Sequence, residues 1–230
     1  MDIIGLLFII TLSYLVGSFP TAIVVSKIFF GFDIRQRGSG NMGSTNAFRI
    51  LGWKWGLTVQ LIDLVKGIAA VILVTSIIPI SINFGSSYFE NSTIVKMIAG
   101  LSAVCGHIWT ILAGFRGGKG INTAAGMLIA IAPVDVGIAL VCFILAVIFS
   151  GYISLGSLTG ALALPSSLLI RYNLLNIPIP GYHILLYFSA LLALLLIFTH
   201  RANIVRLLKG TENHFAKLQV IKYKFSNHRK

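Results

Sequence analysis

The sequence predicts an all-α integral membrane protein with seven transmembrane helices, and two observations support this fold class. Hydrophobic residues make up 57% of the 230 residues, charged residues only 10%, and the mean hydropathy is +0.92. A soluble domain carries charge on about a quarter of its residues. The apolar residues also form long uninterrupted stretches, and a membrane-spanning helix requires about 20 such residues. We therefore expect one polytopic membrane domain over residues 1–230.

The predicted spans are apolar segments separated by polar or glycine-rich sequence. The apolar run 121–150 is too long for one simple span, and Pro133 and Asp135 interrupt it, so we divide it into two helices. The first stretch lacks the basic start of a secretory signal and is interpreted as a retained helix. The seven predicted spans are residues 3–26, 56–80, 93–113, 121–132, 134–150, 151–170 and 182–199.

The distribution of basic residues predicts the orientation of these spans. Fifteen of the 18 Lys and Arg residues lie in the segments 27–55, 114–123 and 200–230. Basic loops near span ends stay in the cytoplasm, so seven spans place the amino terminus outside and the carboxyl terminus inside. The turn at 151–157 is then cytoplasmic as well. The net charge of +12 does not indicate a nucleic-acid partner, because such binders carry their basic face on a soluble module. The tail 214–230 is expected to lie against anionic headgroups.

The first cytoplasmic segment contains the first candidate site. Its residues 33–49 read DIRQRGSGNMGSTNAFR, which combines glycines, hydroxyl and amide side chains, and arginines. Glycines let the backbone turn and expose N–H groups, while an arginine offers a forked partner to a phosphate. A flexible basic loop is the alternative. The sequence favours a phosphoester cradle, with the candidate ligands Ser39, Gly40, Asn41, Thr45, Asn46 and Arg49.

The second candidate site is the glycine loop, residues 114–123, which reads GFRGGKGINT. One lysine among glycines suits an anion, and the candidate ligands are Gly117, Gly118, Lys119 and Gly120. The loop is not a nucleotide-binding P-loop, because Gly120 stands where a Ser or Thr would hold magnesium. The alternative is a tight interhelical turn whose lysine reaches the headgroups.

The remaining polar residues are weaker candidates. His200, Asn203 and Arg206 are spaced three apart, so on a helix they share one face at the membrane surface. Asp63 and Lys66 lie inside an apolar span, where a mutual salt bridge and a site role weigh equally. We favour a packing role over a catalytic role for His107.

Several of these segments occur together in one family. They are Gly17–Pro20, Gly38–Asn46, Leu61–Gly67, Gly106–His107 with Gly117–Thr123, Tyr152–Leu155 and His200–Glu212. In order and spacing they resemble the bacterial acyl-phosphate:glycerol-3-phosphate acyltransferases, the PlsY family. The resemblance implies a seven-helix enzyme of the bacterial inner membrane with a cytoplasmic active site. It implies transfer of a fatty acyl group from acyl phosphate to the 1-hydroxyl of sn-glycerol 3-phosphate, giving lysophosphatidic acid and phosphate, the first step of phospholipid synthesis.

The resemblance also implies roles for individual residues. Ser39 and Arg49 would bind a substrate phosphate, and the glycine loop would hold acyl phosphate or a second phosphate. His200 and Asn203 would lie at the reacting centre. A serine of the segment 152–157 would join them, either Ser154 or Ser157, and Glu212 would be structural. Ser44 and Asn122 depart from the family, which usually has alanine or another small residue at both positions.

Acyl phosphate is an activated mixed anhydride, so the reaction needs mainly alignment of two anions and stabilisation of an oxyanion. We therefore expect no metal and no cofactor, and the expected partners are glycerol 3-phosphate, acyl phosphate and membrane lipids. His200 is the hypothetical base, since histidine titrates near neutral pH, and a substrate phosphate is the alternative. A transporter is disfavoured because the polar residues crowd at one membrane face.

Overall fold

The computed structural model describes residues 3–78 and 90–212, and these residues form helices and turns without a β-strand. The chain forms two compact units, of which the first ends at Pro133 and the second begins at Val134. The α-helices are α1 Ile3–Ser18, α2 Thr21–Phe30, α3 Ser44–Leu51, α4 Trp53–Ile77, α5 Asn91–Ile108, α6 Ile121–Ile131, α7 Pro133–Ser150, α8 Ile153–Leu174, α9 Tyr182–Thr199 and α10 Arg201–Leu208.

The first apolar stretch is broken near its middle. α1 ends at Ser18 and α2 begins at Thr21, so a short break interrupts the predicted helix, although Ile3–Phe30 as a whole is one candidate span. Proline has no amide hydrogen and its ring clashes with the preceding turn, which explains the break at Pro20. The carbonyl of Phe19 accepts a hydrogen bond of 3.0 Å from Nζ of Lys66. The break therefore supplies a polar group to the interior of the first unit.

Glycines let the helices of the first unit approach closely. A Cβ atom on Gly17 would lie 2.0 Å from the carbonyl oxygen of Ala103, so α1 and α5 touch backbone to backbone. A Cβ atom on Gly67 would lie 2.1 Å from the carbonyl oxygen of Thr123, so α4 and α6 do the same. Small residues at helix contacts are typical of membrane bundles, where packing replaces the hydrophobic effect. These contacts fix α5 beside α1 and α6 beside α4.

The break predicted within 121–150 is confirmed. α6 ends at Ile131 and α7 begins at Pro133. In the second unit Asp135 is buried, with the hydroxyl of Ser167 donating to one carboxylate oxygen and Arg171 donating to the other at 2.6 Å. A charge in an apolar helix needs such partners.

The chain is a helical membrane protein. Within residues 3–78 and 90–212, five helical segments are long and apolar enough to cross a membrane, and a sixth results if α9 and α10, bent by 60°, are one span. α6 has 11 residues, fewer than a simple span needs. The count of seven spans and the orientation of the termini remain predictions.

Candidate functional site

Both glycine-rich segments of the first unit line one cavity with a volume of about 290 Å³. Exposed side chains form its mouth and buried side chains of α4 and α5 form its floor. The lining residues are Ser39, Asn41, Gly43, Ser44, Thr45, Asn46, Arg49, Asp63, His107, Lys119, Gly120, Ile121 and Asn122. Seven of the candidate ligands are therefore brought together, namely Ser39, Asn41, Thr45, Asn46, Arg49, Lys119 and Gly120.

The side chain of Asn46 organises the first segment from within. Its Oδ1 accepts a hydrogen bond of 3.0 Å from the amide of Ser39. Its Nδ2 donates to the carbonyls of Arg37 and Asn41 at 3.1 and 2.9 Å. Because Asn46 is only 2% exposed and its amide is used in these bonds, it shapes the cradle more than it offers a ligand group. The sequence alone predicts Asn46 to be a phosphate ligand like the other polar residues of the segment.

The mouth of the cavity is cationic. Arg49 lies in the last turn of α3 and Lys119 in the glycine loop, and both side chains are exposed. The hydroxyls of Ser39 and Thr45 lie beside them in the lining. Cations with neutral hydrogen-bond donors are the groups that bind a phosphate.

The glycine loop rests on the end of α5. Gly117 and Gly118 donate their amides to the carbonyls of Ile108 and His107 at 3.0 and 3.1 Å, so these two N–H groups are bonded to the end of α5. A Cβ atom on Gly118 would lie 2.1 Å from Nε2 of His107. Gly120 has a left-handed φ of 75° and begins α6. The predicted glycines thus set the path of the loop that presents Lys119.

A second, more open cavity lies beside the same two segments. It contains the predicted ligands Gly40 and Gly117 together with Arg35 and Arg116. The guanidinium of Arg35 donates two hydrogen bonds to the carboxylate of Asp33 and a third, of 2.8 Å, to the carbonyl of Ala113. The pKa of Asp33 lies below its ordinary value because of the hydrogen bond from Arg35. This pair ties the first segment to the residues that precede the glycine loop.

The floor of the main cavity holds a buried polar cluster. Oδ1 of Asp63 is 2.9 Å from Nζ of Lys66 and accepts a hydrogen bond of 2.9 Å from Thr21. The salt bridge considered for Asp63 and Lys66 is confirmed. His107, 3% exposed, places Nδ1 at 3.7 Å from the same oxygen. Sequence reasoning missed that Asp63 and His107 line the cavity, although both belong to motifs of the resemblance, Leu61–Gly67 and Gly106–His107.

The second unit holds the other predicted site residues. His200 precedes α10, and its Nδ1 lies 2.9 Å from the carbonyl of Leu196. Asn203 and Arg206 share one face of α10, where they donate hydrogen bonds of 2.8 and 2.6 Å to the two carboxylate oxygens of Glu212. The hydrogen bond from Asn203 lowers the pKa of Glu212 below its ordinary value, and Arg206 acts in the same direction.

The two candidate serines of α8 differ. Ser154 is buried, and its hydroxyl has no hydrogen-bond partner among the described residues. Ser157 donates its hydroxyl to the carbonyl of Ile153 at 3.1 Å, a bond within its own helix. Among the residues described in both units, no group of three or more His, Cys, Asp or Glu side chains is placed to hold a metal ion.

Both the sequence and the fold are similar to those of known proteins. The family model described as Glycerol-3-phosphate acyltransferase matches residues 7–210. The glycerol-3-phosphate acyltransferase of Chlorobium phaeovibrioides is 46% identical over 229 residues, which cover 90% of this chain and 95% of that protein. That of Chlorobaculum parvum is 45% identical over 219 residues, with coverages of 89% and 94%.

Two solved structures resemble the fold. Both are crystal structures of PlsY (YgiH), an integral membrane glycerol 3-phosphate acyltransferase. The glycerol 3-phosphate form has a TM-score of 0.64 and 31% identity, and covers 93% of this chain and 96% of that one. The lysophosphatidic acid form has a TM-score of 0.63 and 30% identity, with coverages of 94% and 97%.

Proposed function

The chain belongs to the glycerol-3-phosphate acyltransferase family, and on this premise we propose that it transfers a fatty acyl group from acyl phosphate to the 1-hydroxyl of glycerol 3-phosphate. The products are lysophosphatidic acid and phosphate, so the reaction begins phospholipid synthesis. The related PlsY structures in glycerol 3-phosphate and lysophosphatidic acid forms support this substrate and product.

One observation carries the proposal, namely the cationic, hydroxyl-lined mouth of the cavity in the first unit. Arg49 and Lys119 neutralise a phosphate, and the hydroxyls of Ser39 and Thr45 add hydrogen bonds to its oxygens. The cradle is ordered before substrate arrives, because Asn46 fixes the backbone at Ser39. Preorganised positive charge lowers the repulsion between two anionic reactants, which is the main obstacle when both carry phosphate.

The reactivity of acyl phosphate supports it as the donor. Its phosphate is a good leaving group, so attack by an alcohol needs charge neutralisation and alignment and no covalent enzyme intermediate. The acyltransferase class that uses acyl-CoA or acyl carrier protein relies on a histidine followed five residues later by an aspartate. None of the five histidines of this sequence has that aspartate. The apolar acyl chain would enter from the surrounding lipid.

In the second unit we assign His200 and Asn203 to the acyl transfer. Ser154 is a better candidate than Ser157 for the accompanying serine, since Ser157 is bonded to its own helix. Glu212 holds Asn203 in place and is structural. Either His200 or a substrate phosphate takes the proton of the attacking hydroxyl.

We further propose that the protein resides in the bacterial inner membrane with both candidate segments facing the cytoplasm. The basic segments 27–55, 114–123 and 200–230 support this orientation through the positive-inside tendency. Cysteines introduced one at a time at Ser39, Lys119 and Arg201, in a protein whose free Cys105 and Cys142 are replaced by serine, test it by labelling with impermeant maleimide in intact and permeabilised spheroplasts. All three should react only after permeabilisation, and labelling of any one in intact spheroplasts would contradict the proposal.

The central experiment is an assay of the purified protein with glycerol 3-phosphate and palmitoyl phosphate, in the presence of chelator. Lysophosphatidic acid and phosphate should appear in equal amounts. Palmitoyl-CoA and palmitoyl carrier protein, offered instead of palmitoyl phosphate, should give no product. Product from a thioester would overturn the donor, and absence of product from every donor would overturn the activity.

Two variants test which residue binds the phosphate of glycerol 3-phosphate and which group takes the proton of the attacking hydroxyl. Arg49→Ala should raise the KM for glycerol 3-phosphate by about 10- to 100-fold, the loss expected for a charged hydrogen bond. Lys54→Ala, which removes an exposed cation stacked over Trp53 outside the cavity lining, is the matched control and should leave KM unchanged. If folded His200→Ala keeps near-normal turnover, the proton passes to a substrate phosphate instead.

A further inference from the structure

The cavity floor contains a buried polar atom that lacks a partner. Nδ1 of His107 is buried and makes no hydrogen bond with any described residue. Its distance of 3.7 Å from Oδ1 of Asp63 is too long for a hydrogen bond. Both residues line the cavity. Since buried polar groups are rarely left unpaired, an unpaired one beside a cavity points to a bound group.

The groups around this nitrogen are held in place. Asp63 accepts a hydrogen bond from Thr21 and pairs with Lys66, and Lys66 is bonded in turn to the carbonyl of Phe19. The His107 ring rests against Gly118 on its Nε2 side. These contacts hold the side chains of the floor together, and Nδ1 of His107, next to the carboxylate, is left without a hydrogen bond.

The charge of the floor restricts what it binds. A second anion would face the Asp63 carboxylate directly, whereas the cations of the lining, Arg49 and Lys119, are at the mouth. A neutral hydroxyl fits, because it both donates and accepts hydrogen bonds. It can bond to the ring nitrogen and lie beside the carboxylate without bringing charge into the buried floor.

Resting on the proposed function, we infer that His107 and Asp63 bind the 2-hydroxyl of glycerol 3-phosphate. The phosphate binds at the mouth, and the 1-hydroxyl must stay free to attack the acyl donor, so the 2-hydroxyl is the group left for the floor. His107 is then a specificity-determining residue. It distinguishes glycerol 3-phosphate from alkyl phosphates that carry the acceptor hydroxyl but lack a second hydroxyl on the neighbouring carbon.

The test compares two acceptors that differ by one hydroxyl, glycerol 3-phosphate and 3-hydroxypropyl phosphate. The wild-type protein should prefer glycerol 3-phosphate by about 10- to 100-fold in kcat/KM, because the analogue leaves a buried polar group of the floor without its hydrogen bond. His107→Leu should reduce this preference to about threefold or less. His107→Asn should retain part of the preference, since its amide places a polar atom near the position of Nδ1.

Thr123→Val is the matched control. Thr123 is buried and its hydroxyl lacks a partner among the described residues, yet it is not part of the cavity lining. Its preference ratio should equal that of the wild type. Turnover of 3-hydroxypropyl phosphate by His107→Leu shows that the variant is folded, and equilibrium binding of both acceptors to the wild type gives the ratio independently.

The outcomes separate the inference from the function on which it rests. Acylation of both acceptors by the wild type with equal efficiency overturns the inference and leaves the acyltransferase intact. An equal loss for both acceptors in His107→Leu assigns the ring to support of the glycine loop alone and also overturns it. Failure of the wild type to acylate glycerol 3-phosphate removes the proposed function, and the inference falls with it.

Discussion

The side-chain amide of Asn122 donates a hydrogen bond of 2.9 Å to the hydroxyl of Ser44. Ser44 is the first residue of α3 and Asn122 the second residue of α6, so this bond joins the two segments that line the cavity. Both residues stand where the resembled family usually has a small residue such as alanine. An alanine pair cannot form the bond, so one contact explains both departures from the resembled family.

A double-mutant cycle should detect this link. Ser44→Ala and Asn122→Ala should each lower the free energy of unfolding by about 1 kcal/mol, the usual net value of one hydrogen bond. The double variant should be little worse than either single one, because the same bond is lost once. Denaturant titration in detergent measures all four proteins. Additive losses would show that the two side chains act independently.

The contact between the glycine loop and His107 predicts two different responses to alanine. Gly118→Ala places a methyl group on the imidazole ring, 2.1 Å from Nε2, whereas Gly117→Ala places one 1.9 Å from the backbone oxygen of His107. Both variants should lower the thermal unfolding temperature. Adding His107→Ala should restore much of the loss in Gly118→Ala, because the obstructing ring is gone.

The same second substitution should do nothing for Gly117→Ala, since the backbone oxygen remains. This pair of double variants therefore separates a side-chain clash from a backbone clash. Equal rescue in both, or in neither, would contradict the packing of the loop on His107. Thermal unfolding in detergent is the suitable measurement, because it does not depend on substrate.

The sequence predicted the helical membrane fold well because hydropathy reports the surrounding solvent directly. The break at Pro133 was also predicted, since a proline and an aspartate interrupt a run too long for one span. The break at Pro20 was not. Apolar residues continue on both sides of Pro20, and the partner that stabilises the break, Lys66, comes from a distant helix. The local sequence around Pro20 does not predict that contact.

The candidate site was predicted at the level of segments and less well at the level of side chains. Composition shows that 33–49 is rich in hydrogen-bonding groups, but not that Asn46 turns its amide toward the segment's own backbone. The floor of the cavity is harder to predict from the sequence than its mouth. Asp63 and His107 approach each other only because α4 and α5 pack side by side. Residues on two separate helices have no characteristic separation in sequence, so the sequence does not predict this contact.

The buried pair Asp63 and Lys66 should be sensitive to loss of one partner. Lys66 is 5% exposed and Asp63 is 1% exposed, so Lys66→Met leaves a buried carboxylate without its cation. We expect a loss of about 3–5 kcal/mol in the free energy of unfolding. Lys96→Met, on the exposed face of α5, is the control and should have little effect.

Removing the charge as well should reverse most of that loss. The double variant Asp63→Leu with Lys66→Met replaces two buried charges by apolar groups, and such replacements are often neutral. Unfolding in detergent compares the three proteins. A double variant as unstable as Lys66→Met would mean that the helices need the polar contacts of Asp63, and not merely charge balance.

The carboxylate of Glu212 should make the second unit sensitive to acid. It accepts hydrogen bonds from Asn203 and Arg206, and these hold its pKa below the ordinary 4.5. A carboxyl whose folded pKa lies below its unfolded pKa stabilises the fold fully above the unfolded value and loses this contribution as pH falls through the folded value. The difference in unfolding temperature between the wild type and Glu212→Gln should therefore be largest at neutral pH and shrink below about pH 4.5. Asn203→Ala removes the largest cause of the low folded pKa, so in that variant the advantage of Glu212 over Gln at neutral pH should be smaller and should be lost completely at a higher pH. A wild-type advantage that stays constant from pH 7 to pH 3 would show that Glu212 contributes by its shape and not by its charge.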